Sequence, residues 1–229
     1  MLFKKMSEMT TDNSYIDMHM HTTWTDGKNT LKEMVTQAEK NSLLEIAITD
    51  HIRSKSDYFF DYIVEIKKIR EEHHINILAG FEAKIKNLDG EVDVPKEALK
   101  MADFVIASVH RLPFDNNMFK YPKELNYNEL AVLEKKLSLK AIKRGKDFDV
   151  LGHCGGMTIA TYGEYPLEYF EEVIQACKEY NIVFEFNYKY HHLYENEIKK
   201  LLYKYDPYIS VGSDAHDIFK LSKRSFIHG

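Results

Sequence analysis

Two short stretches carry metal-type side chains at alternate positions: Asp17-Met18-His19-Met20-His21 and Val211-Gly212-Ser213-Asp214-Ala215-His216. Both sit at the end of β-like runs. In an extended chain residues i and i+2 share a face, so His19 with His21, and Asp214 with His216, can each grip one cation without distorting the backbone. Four more candidates follow apolar runs in between: His51, Glu82, His110 and His153. Asp26, in an Asp-Gly turn, completes the set. Each alone is a weak signal, but all recur at one topological position, and we read them as converging on one multinuclear metal site. Imidazole with carboxylate suits zinc, manganese or iron; so many histidines argue against magnesium or calcium, which favour oxygen shells. Asp17 and Asp50 flank ligand-type histidines and read either as acceptors fixing imidazole orientation or as turn residues. His73, His74, His191, His192 and His228 read as ordinary surface or core histidines. Cys154, next to His153, faces the other way in an extended backbone and reads as a buried thiol.

The elements that must position these residues alternate. Strands are expected over Tyr15 to Met20, Leu44 to Thr49, Ile75 to Ala83, Phe104 to Val109, Phe148 to Leu151, Ile182 to Phe186 and Tyr208 to Val211. Between them lie helical stretches. The first has Thr30 and Glu33 as a capping box; the second runs from Tyr58 to His73, capped by Asp57. A short one starts at Pro95. Asn126 to Gly145 has Leu130, Leu133, Leu137 and Ile142 on one stripe. Helices at Pro166 to Tyr180 and Tyr194 to Tyr205 complete the series. Asp89-Gly90 suggests a hairpin-like excursion; residues 111–125 and 154–165 read as loops. Alternation of this kind implies βα units, a parallel sheet and right-handed crossovers. Six of the seven strands end in a metal-type residue. In a closed barrel those ends share one mouth, whereas an open doubly wound sheet would not gather residues from nearly every strand. The expected fold is α/β: a distorted (β/α)7 TIM-like barrel, one domain over residues 15–229, after a loose segment at 1–14.

The bulk numbers agree and exclude several classes. A chain of 229 residues fits one larger domain. A net charge of -5 gives no bulk attraction to nucleic acid or anionic membrane. Two cysteines, without a C-x-x-C, make no disulfide framework, so a cytoplasmic setting is expected. Residues 1–14 hold no apolar signal core, and no run is long enough for a membrane span.

The run of HMHTTWTDG, AITDH, GFEAKIKNLDGEVD, ASVH, LGHCGG and VGSDAH resembles the PHP (polymerase and histidinol phosphatase) family, over about Tyr15 to Lys220. Segment 80–110 most resembles its small stand-alone phosphatases. The resemblance implies a distorted seven-stranded barrel holding two or three divalent ions. It implies that His19, His21, Glu82 and Asp214 hold one ion. Glu82 would bridge to a second, held also by His110 and His153. Asp26, His51 and His216 would hold a third.

The charge of such a site favours a phosphoester. Three divalent ions against the carboxylates Asp26, Glu82 and Asp214, with neutral histidines, leave about +3, a complement to a phosphate dianion. The expected reaction is attack of a bridging hydroxide on a small phosphomonoester, with Glu82, His110, His153 and Asp214 at the catalytic centre. Arg111, Arg53, Lys189 and Asn187 are the candidate substrate contacts. Residues 188–205 mix aromatic and basic side chains, which suits single-stranded nucleic acid; we read them instead as an amphipathic helix and loop covering the barrel. The rival functions are a phosphodiesterase or 3′-5′ exonuclease, a histidinol-phosphatase, amide or lactone cleavage, and a non-catalytic metal-binding module. Oligomeric state is not legible.

Overall fold

The computed structural model describes residues 2–11, 13–114, 118–223 and 225–227; His228 lies outside them. Its strands are β1 (Lys4–Lys5), β2 (Ile16–Asp17), β3 (Glu45–Ile48), β4 (His51–Ile52), β5 (Asn76–Lys84), β6 (Phe104–Ser108), β7 (Leu112–Phe114), β8 (Met118–Lys120), β9 (Val150–Leu151), β10 (Val183–Asn187) and β11 (Tyr208–Gly212). The helices are α1 (Leu31–Lys40), α2 (Phe59–Glu72), α3 (Lys96–Met101), α4 (Tyr127–Arg144), α5 (Gly156–Tyr162), α6 (Leu167–Tyr180), α7 (Tyr188–His191) and α8 (Glu195–Tyr205). The seven expected strands are β2, β3, β5, β6, β9, β10 and β11, and they pair in parallel in chain order. Met18 N donates to Val211 O at 2.8 Å, and Met20 bridges Ala215 in parallel, which brings the first of the seven against the last. The result is a distorted seven-stranded α/β barrel. No helix among the described residues is long and apolar enough to cross a membrane.

Period-two alternation divides each strand between two cores. One inner group, with Met18, Ala47, Leu78, Ile106, Val150 and Val183, draws on β3, β5, β6, β9 and β10 and the segment after β2. It fills the barrel on the side of the strands' N-terminal ends. Further along β5 the same face carries Glu82, and along β10 it carries Glu185, both buried. The opposite face, with Ile46, Ile77, Ala79, Phe81, Phe184 and Val211, packs under the helices.

Local chemistry sets the helix ends. Thr30 and Asn126 form the capping boxes of α1 and α4 with Glu33 and Glu129, and Gly145 ends α4 at φ 58°. Gly90, at φ 77°, turns the excursion after β5, where Ile85 bridges Val92 antiparallel.

Four expectations change. The described residues of the 1–14 segment are not loose: β1 adds antiparallel to β11, Phe3 packs edge-on to Phe104 at 5.1 Å, and Met6 is buried. The scattered apolar residues of this segment close the barrel's lower end, a long-range role that periodicity does not register. Asp57 does not cap α2; Tyr58 precedes it with no side-chain cap. The 111–125 loop contains the β7–β8 hairpin and a turn of 3-10 helix at Pro122–Glu124. The 154–165 loop contains α5, bracketed by Gly155 and Gly163 in left-handed conformation.

Candidate metal centre

The nine ligand-type residues meet at the C-terminal mouth of the barrel. Glu82 is their hub. Its Oε1 lies 2.8 Å from His153 Nε2 and 3.0 Å from His110 Nε2. Its Oε2 lies 3.0 Å from His51 Nδ1 and 3.5 Å from Nε2 of both His19 and His21. Asp214 Oδ1 is 3.3 Å from His21 Nε2 and 3.5 Å from His216 Nδ1. Asp26 Oδ2 is 3.2 Å from His51 Nε2 and 3.3 Å from His216 Nε2. Three overlapping groups result: His19, His21 and Glu82; His51, Glu82 and His110; and His21, Asp26, His51 and His216, each with ligand atoms within 4.8 Å of one another.

Backbone detail aims these side chains. Asp214 and His153 adopt positive φ, 51° and 21°, which re-aims the chain as it leaves β11 and β9. Such conformations persist only where the surroundings impose them, and they gather at functional sites. At Gly212 a Cβ would lie 2.4 Å from His19 Cβ, so only glycine lets β11 approach His19 this closely. Gly27 likewise has no room for a Cβ, which would meet His21 O at 2.4 Å.

The donor set fits divalent cations. His19 and His21 present Nε2 atoms 3.2 Å apart, and His110 and His153 present theirs 3.3 Å apart. Two imidazoles on one tetrahedral ion, at metal–nitrogen distances of ~2.0–2.1 Å, would stand about 3.3 Å apart. The buried Nδ1 atoms of His21 and His51 have no aligned hydrogen-bond partner, although His51 Nδ1 is only 3.0 Å from a carboxylate oxygen. Lone pairs that face a common point have this arrangement.

Electrostatics point the same way. Burial would raise the Glu82 pKa, but the histidines around it, His110 and His19 foremost, hold it well below the usual carboxylate range. Asp214 is likewise held low against its burial, mainly by His21 and His19. Burial drives His21 down to about 4, so its ring is neutral and able to ligate near pH 7. Burial also lowers His19, but Glu185 and Glu82 outweigh it and its pKa ends well above the ordinary value.

Glu185, inside β10, was not singled out from the sequence. Its Oε1 lies 2.6 Å from His19 Nδ1, and its Oε2 accepts from His153 N at 2.5 Å. It fixes one imidazole and the backbone beside another. An acid flanked by Phe184 and Phe186 in a buried parallel strand was the available signal. Asp17 and Asp50 do not take that role. Asp17 accepts from Ser213 N, Ser213 Oγ and Ser222 N at 2.6–2.9 Å. Asp50 accepts from Thr22 N, Thr22 Oγ1 and Thr25 Oγ1 at 2.6–2.9 Å. Both secure the loops that carry ligand-type residues, and burial pushes each pKa up to about 6.

A cavity of about 400 Å³ opens over the cluster, lined also by Arg53, Gly156, Met157, Lys189 and Tyr190. Lys189 Nζ pairs with Asp214 Oδ2 at 2.6 Å. Arg53 donates from Nη1 to Ile52 O at 2.8 Å while lining the mouth. The other two candidate contacts are elsewhere. Arg111 is exposed with its guanidinium 5.2 Å from the Phe119 ring, in a neighbouring depression. Asn187 is buried, and its Oδ1 accepts from Lys189 N at the start of α7. Met157 and Gly156 sit in the wall because buried Glu134 of α4 accepts from Met157 N, Thr158 N and Thr158 Oγ1 at 2.5–3.0 Å. Cys154 is a buried thiol whose pKa burial raises.

The comparisons with known proteins agree with this geometry. A "Probable phosphatase" of Caldicellulosiruptor bescii is 33% identical over 213 residues, covering 88% of this chain and 79% of that protein. A histidinol phosphate phosphatase from Lactococcus lactis, solved with zinc, L-histidinol and phosphate, superposes with a TM-score of 0.67 at 20% identity, covering 90% of this chain and 87% of that one. A structure from Listeria monocytogenes gives a TM-score of 0.70 at 16% identity, covering 91% and 97%. These two show the likeness of fold. The family model described as "PHP domain" matches residues 17–189, and the chain, with that match and its gathered histidines and carboxylates, belongs to the PHP domain family.

Proposed function

We propose that residues 15–229 form one metal-dependent hydrolase unit that cleaves small phosphomonoesters. In this reading two or three divalent ions, zinc, manganese or iron, are the cofactors. His19, His21, Glu82 and Asp214 hold one, Glu82, His110 and His153 a second, and Asp26, His51 and His216 a third. The observation that supports it is Glu82, buried and within 3.5 Å of five imidazoles, at the floor of a cavity of phosphate-ester size. A buried carboxylate needs compensating positive charge close by. When bound, such ions supply Lewis acidity toward a phosphoryl oxygen and lower the pKa of water.

The chain's own residues do the rest. Glu185 keeps the His19 ring oriented, and Lys189 holds Asp214 by ion pairing. Arg53 and Lys189 put positive charge at the mouth, where a phosphate dianion would enter. Tyr190, 5.2 Å from the His153 ring, and Met157 narrow the cavity and limit water.

The test is turnover of p-nitrophenyl phosphate, and of histidinol phosphate beside it, by protein loaded with zinc, manganese or iron. We expect release of inorganic phosphate that is lost in Glu82→Gln. Protein that binds metal yet hydrolyses neither ester with any of the three ions would overturn the reading.

A further inference from the structure

Helix α4 buries one stripe at helical spacing, with Leu130, Ala131, Leu137, Ser138, Ala141 and Ile142. Glu134 lies on the same stripe and is 1% exposed. A carboxylate in that place is costly to bury unless hydrogen bonds replace the water it gives up. Its donors all come from α5: Met157 N at 3.0 Å, Thr158 N at 2.9 Å and Thr158 Oγ1 at 2.5 Å. None of the three is charged, so ion pairing does not account for the acid.

The start of α5 accounts for it. The first N–H groups of a helix have no partner within the helix, and a Ser, Thr, Asp or Asn just before it ordinarily accepts from them. In α5 that place belongs to Gly155. Its φ is 78°, and a Cβ there would lie 2.7 Å from the Tyr165 ring, so no capping side chain fits. Gly156 N donates to His153 O at 2.8 Å, and Ile159 N to Gly155 O at 2.9 Å. Met157 N and Thr158 N are left over, and Glu134 accepts from both. Its negative charge also suits the positive end of the helix.

The first turn of α5 presses on His153. At Gly156 a Cβ would stand 3.1 Å from His153 Nδ1 and 3.3 Å from the Tyr190 ring. On its other side the imidazole presents Nε2 to Glu82 Oε1 at 2.8 Å and to His110 Nε2 at 3.3 Å. The ring is thus confined by α5 on one edge and faces its partners with the other. A displaced α5 would move the ring or free it.

We propose that Glu134 is a positioning residue for the ion assigned above to Glu82, His110 and His153: it fixes where α5 begins, and α5 fixes the His153 ring. Glu134 touches neither ion nor ester and acts only through α5. The role rests on that assignment of the ion and is independent of which ester is cleaved.

Stepwise zinc uptake, read by competition with a chromophoric chelator, tests it. The step lost in His110→Ala marks the ion concerned. Glu134→Gln keeps the volume but puts an amide nitrogen where one oxygen accepted. It should weaken that step alone by about tenfold, the lower end of the range for groups that orient metal ligands. Leu137→Ala removes packing from the same stripe and no hydrogen bond; it should lower Tm and leave the step in place. Thr158→Val removes one of the three donors and should weaken the same step by a smaller factor. Equal weakening of every step in Glu134→Gln would overturn the proposal, and so would a selective loss reproduced by Leu137→Ala. A step unmoved in Glu134→Gln or, should that chain not fold, in Thr158→Val would overturn it too. Wild type that takes up no zinc would overturn the assignment of the ion and the positioning role with it. Wild type that binds zinc and cleaves no ester would overturn the phosphatase reading alone, because the zinc steps decide the role of Glu134 without turnover.

Discussion

At the scale of single residues, the site depends on a few buried charges held in register. Glu185 is the clearest case, because it touches two ligand positions at once through separate oxygens. Replacing it with Gln keeps the shape but loses the charge and one acceptor. Groups in this position typically carry 10–100-fold in metal affinity or activity. We therefore expect Glu185→Gln to fold normally and to weaken zinc binding by about that factor, as read by competition with a chromophoric chelator. An unchanged zinc affinity would remove Glu185 from the account. The residues gathered at the mouth could be picked out because metal-type side chains recur at strand ends, with a spacing of two in the pairs His19 with His21 and Asp214 with His216. Glu185 could not, since its partner His19 lies far away in sequence and only the closed sheet brings them together. Arg111 misled for the converse reason: adjacency to His110 says nothing about side-chain direction, and the hairpin after it turns the guanidinium onto Phe119.

At the scale of elements, α7 depends on His191. Its Nδ1 accepts from Asn187 N at 3.1 Å, and its Nε2 donates to Cys154 O at 2.8 Å, joining the end of β10 to the loop that carries His153. Burial lowers its pKa to about 4. The unfolded chain, at ~6.5, binds this proton more readily than the folded one. Stability from His191 is therefore full above about pH 6.5 and is lost as pH falls through 4, by roughly 3 kcal/mol in all. In urea melts from pH 7 to 4, His191→Gln should show a shallower loss of stability than wild type, by about one proton's worth of slope. Parallel curves would contradict it. The helices with strong periodicity and capping boxes, α1 and α4, were readable from sequence alone. Helix α5 was not, because its glycine-bracketed sequence has no stripe and its start is fixed by Glu134 from α4. The β7–β8 hairpin was hidden by Pro113 and by the brevity of its strands.

At the scale of the whole molecule, the ligand cluster lies where β2 and β11 meet, so metal binding and closure of the barrel are coupled. The cluster joins residues from Asp17's strand to the loop after Gly212. Ions that bind only the folded chain stabilise it by mass action. Stripping metal with a chelator should therefore lower Tm, by several degrees for a domain of this size, and zinc should restore it. Calorimetric traces that coincide with and without chelator would sever site from fold. The sequence by itself determined the alternating βα order and which residues stand at the strands' C-terminal ends. Those follow from local periodicity and chain direction, which need no partner. Tertiary structure alone decided that the N-terminal segment closes the barrel's lower end, that Glu185 rather than Asp17 orients His19, and that Lys189 rather than Arg111 faces the cavity. Each of those depends on contacts between distant segments, whose geometry is fixed only when the sheet's first and last strands meet.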